Sequence, residues 1–546
     1  MTERLLNNSS AVAIRPLVYA IMLALGLVAG MSFQTDQKDK FTQILDIIQN
    51  DYVDSTQRAA IETSTIEFML SQLDPHSAYI PPDLSEVNER QIRGNYFGLG
   101  VSYIAYNDSL VVYSVFPNGP ADKAGIQPGD RLIKAGAIRL TDSLSSTEIQ
   151  EAIQSGKQAA IDMLVYRRSD DQVKTIRVNR GDVIMNSSEV YYMVNKTVGY
   201  IRIERFSSQT HNEFLTALKA LKAEGMRDLI LDLRNNGGGL LQEAAQIANE
   251  FLQADELISY TQGLHRLKHD YKADGNGQFT KGKLIVLINH NTASASEILT
   301  GALQDNDRAV IIGNRSYGKG LVQEPFKLAD GSTIRLTIAR YFTPSGRSIQ
   351  KHYTKDVDAY HNEIYKRDFM KDTLSPILDP SIKKEFFSKN GRLLTAGGGI
   401  RPDIFLRDTI ADSTEIERLM PGLFYSRLFD IYYLDHMRPR LVKQSRVYSS
   451  VNDFMLHFNI DDRDALAFIQ LAQKISYLRS IKASTKTKDI VKKHLKAAVA
   501  YSLFGEKGKS LIINQEDGVF SSSIEAFKQY NRLLHIQTNT SNRRDY

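Results

Sequence analysis

Leu284-Ile285-Val286-Leu287-Ile288-Asn289-His290-Asn291-Thr292-Ala293-Ser294-Ala295-Ser296-Glu297 decides how the middle of this chain folds. Five consecutive branched apolar residues followed by polar ones read as a strand buried on both faces. Ile298, Leu299 and Leu303 then recur at helical spacing. Ser294 therefore falls between the carboxyl end of a strand and the amino end of a helix. Open α/β sheets bind their ligands there, and the free N–H groups of a helix start suit an oxyanion. A serine in that position also serves as a plain helix cap, so this segment by itself leaves both readings open.

The flanking sequence repeats the alternation. Val198-Gly199-Tyr200-Ile201 is strand-like, Phe214, Leu215, Leu218 and Leu221 form a helical stripe ending at Gly225, and Leu229-Ile230-Leu231-Asp232-Leu233 is a second apolar strand. Asn235-Asn236-Gly237-Gly238-Gly239 turns, and 244–251 is helical. Such alternation predicts an α/β domain with a largely parallel sheet. The glycine run exposes N–H groups that could cradle an oxyanion, or is simply a tight turn. In Arg315-Ser316-Tyr317-Gly318-Lys319-Gly320-Leu321-Val322-Gln323 a lysine stands between two glycines. Lysine is a useless base at its free pKa of about 10.4, but desolvation lowers that value and lets it take a serine proton. The plainer alternative is a turn lysine facing water. Gly313, Gly318 and Lys319 have P-loop spacing, but Gly320 stands where the magnesium-binding hydroxyl belongs, and the residues from Leu321 onward look extended rather than helical. His290, four residues before Ser294, is the rival base for another kind of serine hydrolase.

Around this core, 38–73 reads as helices (Phe41, Ile44, Leu45, Ile48; Ile66, Met69, Leu70), broken by Asp74-Pro75-His76. Residues 96–180 read as a compact module. Val101-Ser102-Tyr103, Leu110-Val111-Val112-Tyr113 and Ala160–Tyr166 are strand-like, Pro120–Gly125 is one helical turn stopped by glycine, and Ser145-x-x-Glu148 is a capping box. Beyond about 410 the chain looks helical. Lys486, Lys488, Lys492, Lys493 and Lys496 are expected on a solvated helix face, with a membrane-surface or partner role as the alternative. At 546 residues the chain has room for three or four domains of about 150 residues. Its net charge of +5 makes no case for nucleic acid, and the absence of cysteine excludes disulfides, thiolate metal sites and a cysteine nucleophile. Arg4 and Arg15 precede the charge-free run 16–33, long enough for a membrane anchor that leaves the N-terminus in the cytoplasm. A signal peptide cut near Val28-Ala29-Gly30 is the alternative.

Taken together, Leu73-Asp74-Pro75-His76-Ser77, Asp232-Leu233-Arg234-Asn235-Asn236, Thr292–Ile298, Gly301–Asp305, Tyr317–Gln323, Asp330-Gly331-Ser332, Thr343–Arg347 and Gly399–Asp403 come in an order that resembles the carboxyl-terminal processing peptidases, or tail-specific proteases. The resemblance spans roughly residues 38–405. It implies an α/β fold with a crotonase-like peptidase core, an inserted PDZ domain and helical N- and C-terminal regions. The expected divisions are 1–37 (anchor or signal), 38–90 (helical), 91–180 (PDZ), 181–409 (peptidase) and 410–546 (helical). Carried over residue by residue, it implies Ser294 as nucleophile, Lys319 as base and Gln323 as the residue that orients it. Ala295 and Gly238 would supply oxyanion N–H groups. This chain has Gly237 where the family often has proline. Phe97-Gly98-Leu99-Gly100 looks like the PDZ carboxylate-binding loop, which takes a chain end by strand addition. The resemblance implies neither metal nor cofactor. It implies protein substrates with exposed C-terminal tails; the helical ends suggest a homodimer, an adaptor is a further expected partner, and the run 16–33 behind Arg4 and Arg15 predicts a bacterial inner-membrane protein whose catalytic domains face the periplasm. The competing readings are a non-catalytic tail-binding scaffold and a crotonase-type acyl-CoA enzyme.

Overall fold

The computed structural model describes residues 19–22, 39–154, 159–354, 356–367, 384–406, 419–420, 422–424, 426–443 and 448–535. The chain divides into two compact units, 1–72 and 73–546. In the smaller, helices Lys40–Asp51 and Arg58–Ser71 follow the expected spacing. Asp39 caps the first of them by accepting from Thr42 N at 2.9 Å. All but residues 19–22 of the apolar run 16–33 lies outside the described residues. Among the described residues no helix is long and apolar enough to cross a membrane.

The larger unit is built on a six-stranded sheet in the order Val190–Met193, Val198–Arg202, Asp228–Asp232, Leu284–Ile288, Val310–Gly313 and Ile404–Phe405. The first pair is antiparallel and the other four are parallel. All five residues of Leu284–Ile288 are buried, as an unbroken apolar strand at the centre of a parallel sheet must be. Helices Thr210–Ala223, Leu241–Asn249 and Ala295–Asp305 cover one face through Phe214, Leu218, Ile247, Leu299 and Leu303. Phe520, Phe527, Tyr530 and Leu534 from the C-terminal region cover the other. The sheet thus lies between two helical layers.

A second sheet joins Ala78–Ile80, Thr333–Phe342, Leu257–Gln262 and His269–Lys272, with Leu321–Lys327 also paired to Thr333–Phe342. Residues 73–93, adjacent in sequence to the N-terminal helices, belong to this larger unit. They supply a sheet strand and helix Pro82–Arg93. The run Leu321–Lys327 is extended, as read from the sequence, so no phosphate-binding helix follows Lys319.

The chain leaves the core through strand Asn95–Gly98 and returns through Gly181–Ile184, which pair antiparallel. Between them lies the compact module expected to be a PDZ domain, a sheet ordered Val101–Ala105, Leu110–Val115, Asp130–Ala135, Ala160–Arg167 and Gln172–Asn179. Val101–Ala105 is an edge strand. Helix Ser146–Gln154 begins at the expected capping box, with Glu148 N donating to Ser145 Oγ at 3.2 Å and Ser145 N donating to Glu148 Oε2 at 2.8 Å.

The C-terminal helices touch both partners. Their core of Leu428, Phe429, Tyr432, Phe454, Phe468 and Leu495 takes in Val111 of the PDZ sheet. Arg131 Nη2 of that sheet donates to both carboxylate oxygens of Asp435, at 2.7 and 3.0 Å, with both side chains nearly buried. The lysine run lies on the expected largely solvated helix face, with Lys486 exposed and Lys488, Lys492, Lys493 and Lys496 part-exposed, and it carries surface pairs. Lys488 and Lys492 both pair with Asp462, Lys493 pairs with Glu516, and Lys496 Nζ donates to the Met455 carbonyl. The long lysine stems fold over neighbouring helix ends, where their ammonium groups find acceptors that the local sequence does not reveal.

Asp435→Ala leaves Arg131 buried without a counter-charge and should cost about 3–5 kcal/mol. Urea unfolding followed by far-UV circular dichroism would read this as a lower midpoint. The double variant Arg131→Met/Asp435→Leu should recover most of the loss.

Candidate active site

Helix Ala295–Asp305 starts at Ser294, whose backbone lies at φ 56°, ψ −116°. For a residue with a side chain this conformation costs on the order of 1–3 kcal/mol and persists only where surroundings enforce it. The surroundings here are explicit. Ala293 N donates to the Asn236 carbonyl at 3.0 Å, and Ser296 Oγ donates to the same oxygen at 3.0 Å. Thr292 Oγ1 donates to the Leu233 carbonyl at 2.9 Å. The serine segment is therefore stitched to the glycine turn after the neighbouring strand. Tyr341 adds a hydroxyl donated to the Ser294 carbonyl at 3.3 Å.

Glu297 is fully buried and receives four donors: Ser294 N at 2.8 Å, Gly318 N at 2.7 Å, Lys319 N at 2.9 Å and the Ser316 hydroxyl. One carboxylate thus fixes the serine segment and the lysine turn relative to each other. Burial pushes its pKa up to about 7 against the opposing pull of those hydrogen bonds.

Lys319 Nζ donates to Gln323 Oε1 at 2.9 Å, and Gln323 Nε2 donates to the His76 carbonyl at 2.5 Å. The amide's orientation is set by its second bond, so Gln323 presents an oxygen to the lysine. Burial is the main cause that brings the Lys319 pKa down to about 8, and the Arg335 charge adds to it. Burial, with Lys319 nearby, also takes the His76 imidazole down to about 3, so it is neutral at ordinary pH.

Ser294, Ala295, Lys319 and Gln323 line one cavity of about 620 Å³, together with Gly237 and Gly239. Ala295 is the first residue of its helix, where the backbone N–H has no intrahelical acceptor. Gly238 differs from what was expected of it. Its N–H already donates to Asn236 Oδ1 at 2.9 Å. Its role is close approach: at φ 100° it sits so near the serine segment that a Cβ would meet Ala293 O and Ser294 Cβ at 2.8 Å. His290 is not among the residues lining this cavity. In the PDZ module, Gly100 turns at φ 77° and its carbonyl accepts from Phe116 N at 2.9 Å. The Leu99 carbonyl accepts from Ala121 N at 2.7 Å, the Leu99 side chain is buried, Phe97 is exposed, and Gly98 pairs with Gly181.

Two residues here carry weight that the sequence did not advertise. Glu297 stands in the common pattern Ser-x-x-Glu, whose ordinary meaning is a helix cap. The His76 carbonyl meets a side chain 247 positions away, with no local signal.

Residues 197–359 match the model of peptidase family S41, 111–167 match a PDZ domain, and 422–505 match a family of unknown function. A carboxy-terminal-processing protease of Bartonella bacilliformis is 34% identical over 325 residues, covering 58% of this chain and 73% of that protein. A carboxyl-terminal-processing protease of Picosynechococcus is 32% identical over 361 residues, covering 61% and 86%. One from Synechocystis is 33% identical over 316 residues, covering 56% and 72%.

The lowered Lys319 pKa carries a stability consequence. Below about pH 8 the folded chain holds a desolvated ammonium, a cost that disappears above about pH 10.5, where the group is neutral both folded and unfolded. Lys319→Met should therefore raise the urea midpoint at pH 7, and the gain should shrink steadily between pH 8 and 10.5.

Proposed function

This chain belongs to the carboxyl-terminal-processing proteases of peptidase family S41, and from that premise we propose that it cleaves protein tails with a Ser294–Lys319 dyad. The observation carrying this reading is the shared cavity: Ser294 at a strained helix start, and a desolvated Lys319 held by Gln323, line the same space. A neutral lysine amine has two N–H groups and one lone pair. Donation of one N–H to Gln323 Oε1 leaves the lone pair to take the proton of Ser294 Oγ. The oxygen then attacks the scissile carbonyl carbon, whose oxygen takes up the charge against Ala295 N–H. The resulting ammonium of Lys319 returns its proton to the departing amine. Water repeats the sequence on the acyl-enzyme and releases the second product. Gly238 N–H would join the oxyanion site only if its bond to Asn236 opened.

In this reading the PDZ module holds the substrate's end. Among the described residues edge strand Val101–Ala105 pairs with one strand alone, so its other side would take an added strand, and the Phe97–Gly100 loop would receive the terminal carboxylate. The run 16–33 behind Arg4 and Arg15 would anchor the chain in a bacterial inner membrane, with the catalytic unit on the periplasmic side.

Incubation with a denatured protein and mass spectrometry of the products tests the dyad. Ser294→Ala and Lys319→Ala should each abolish peptide release while His290→Ala retains most of it. Loss in His290→Ala with an active Lys319→Ala would refute the assignment. Activity should rise with pH through about 8, because Lys319 must be neutral to accept a proton. Amidating a substrate's C-terminus should slow cleavage, and equal rates for free and amidated ends would remove the carboxylate-capture role from the PDZ loop.

A further inference from the structure

The cavity that holds Ser294 carries more positive charge than its own chemistry uses. Its floor is the face of the second sheet. Leu321–Lys327 bulges at Val322/Gln323, and from there Gln323, Pro325 and Lys327 alternate onto the cavity side. Thr333 and Arg335 face the same space from the neighbouring strand. Lys327 is matched by Glu89, which also takes Arg93, both from the helix lining the opposite side. Glu89 is the one carboxylate among the lining residues, so Arg335 has no counterpart there. Its strand neighbours across the sheet are Ala78 and Pro325, neither of which offers a side-chain acceptor. Its Nε is buried with no hydrogen-bond partner, and among the described residues no carboxylate forms a salt bridge with its guanidinium.

A buried donor without an acceptor is costly, and a half-buried guanidinium facing a cavity is best satisfied by the planar, two-oxygen acceptor that fits its fork. We propose that Arg335 is a substrate-recognition residue, binding a carboxylate of the peptide close to the bond presented to Ser294. This rests on the reading of the cavity as the peptide site. The carboxylate can come from an acidic side chain beside the scissile bond or from the peptide's own terminus, and matched peptides separate the two.

Such pairing would also act on the base. Lys319 feels Arg335 from the sheet, Asp74 and His76 from the loop before strand Ala78–Ile80, and Glu297 from the helix. Of these, Arg335 and His76 border it as cation and neutral ring, and the two carboxylates oppose Arg335. When a substrate carboxylate offsets the Arg335 charge, the lysine pKa rises. The kcat limb, which reports the complex, then lies at higher pH than the kcat/KM limb, which reports the free enzyme. Amide-bearing peptides should show no such separation.

The test reads binding without cleavage, by fluorescence anisotropy of labelled peptides on the full-length chain carrying Ser294→Ala. Peptides are matched in two arms: internal glutamate against glutamine, and free-acid against amidated terminus. In at least one arm the acid should bind about tenfold more tightly, as expected of one charge-assisted contact. Arg335→Gln should bring the internal-residue ratio to about one and, in the terminal arm, should remove the part of the ratio that does not belong to the PDZ loop. Arg335→Lys, which keeps the charge and loses the fork, should keep binding but reduce the ratio about threefold. An effect confined to the first arm marks an internal acidic residue, and one confined to the second marks the terminus. Ratios that both Arg335 variants leave unchanged, or acids and amides that bind alike throughout, overturn the proposal. Failure of the dyad looks different: a chain with native Ser294 that binds acids through Arg335 yet releases no peptides.

Discussion

The buried carboxylate of Glu297 is the interaction on which the rest of this site depends. It belongs to the helix after strand Leu284–Ile288, while Gly318 and Lys319 belong to the loop after Val310–Gly313. The two loops come from different strands, so a bond between them is needed to fix one against the other. The glycines of the Gly-Lys-Gly turn allow many conformations. Four donors converging on one anion replace that freedom with a single arrangement. The carboxylate's pKa, raised to about 7, shows that burial opposes its charge more strongly than the four donors support it. This group contributes most to stability below its unfolded value of 4.5, and that contribution is lost as pH rises through about 7. The anion that orders the site forms as pH rises through about 7, and Lys319 loses its proton as pH rises through about 8, so the site's order and its basicity develop in the same direction of pH, against the cost of ionising a buried carboxylate.

A second buried pair supports the first from behind. Arg347, fully enclosed, donates to Asp305 Oδ1 at 2.7 Å, Gln304 Oε1 at 2.8 Å and the Thr395 carbonyl at 2.6 Å. Asp305 and Gln304 end the helix that Ser294 begins. The helix is therefore pinned at both ends by charge-assisted bonds in a dry interior, where such bonds are strong and their loss expensive. This accounts for the strained Ser294 backbone: the helix cannot shift to relieve it.

How much of this was legible in the sequence depends on how far apart the interacting residues lie. The strand Leu284–Ile288, the capping box at Ser145 and Glu148, and the glycine stop at Gly125 were all legible because each signal is complete within a few residues. The juxtaposition of the Ser294 and Lys319 segments was legible only as a resemblance in motif order, since no spacing rule brings two loops together. Glu297 was visible as a letter in a motif, but Ser-x-x-Glu reads as a cap wherever it occurs. Gly238 was read as a free donor because glycine turns expose N–H groups, and the Asn236 side chain that occupies it could not be oriented from sequence. The lysines after 485 were legible as a solvated face, but their acceptors, Asp462 and the Met455 carbonyl, were not, because they sit on other helices. Arg335 lay in an ordinary strand pattern whose one unusual property, the want of an acceptor, exists only in three dimensions.

The attachment of the PDZ module has a mechanical meaning. Two strands paired side by side, Asn95–Gly98 and Gly181–Ile184, make a two-stranded ribbon, and a body hung on a ribbon alone keeps one soft rotation about it. The helical C-terminal region adds further attachment on other strands of the module, through Val111 and the Arg131–Asp435 pair, and is itself seated on the central sheet by Phe520 and Tyr530. Attachment beyond the ribbon opposes that soft rotation. Any swing of the module toward or away from the cavity must then be a two-body event. Either the apolar seat around Val111 opens to water, or the C-terminal helices travel with the module and slide on the sheet they cover. The part of the chain with no motif of its own is in this way the part that sets the stiffness of the whole.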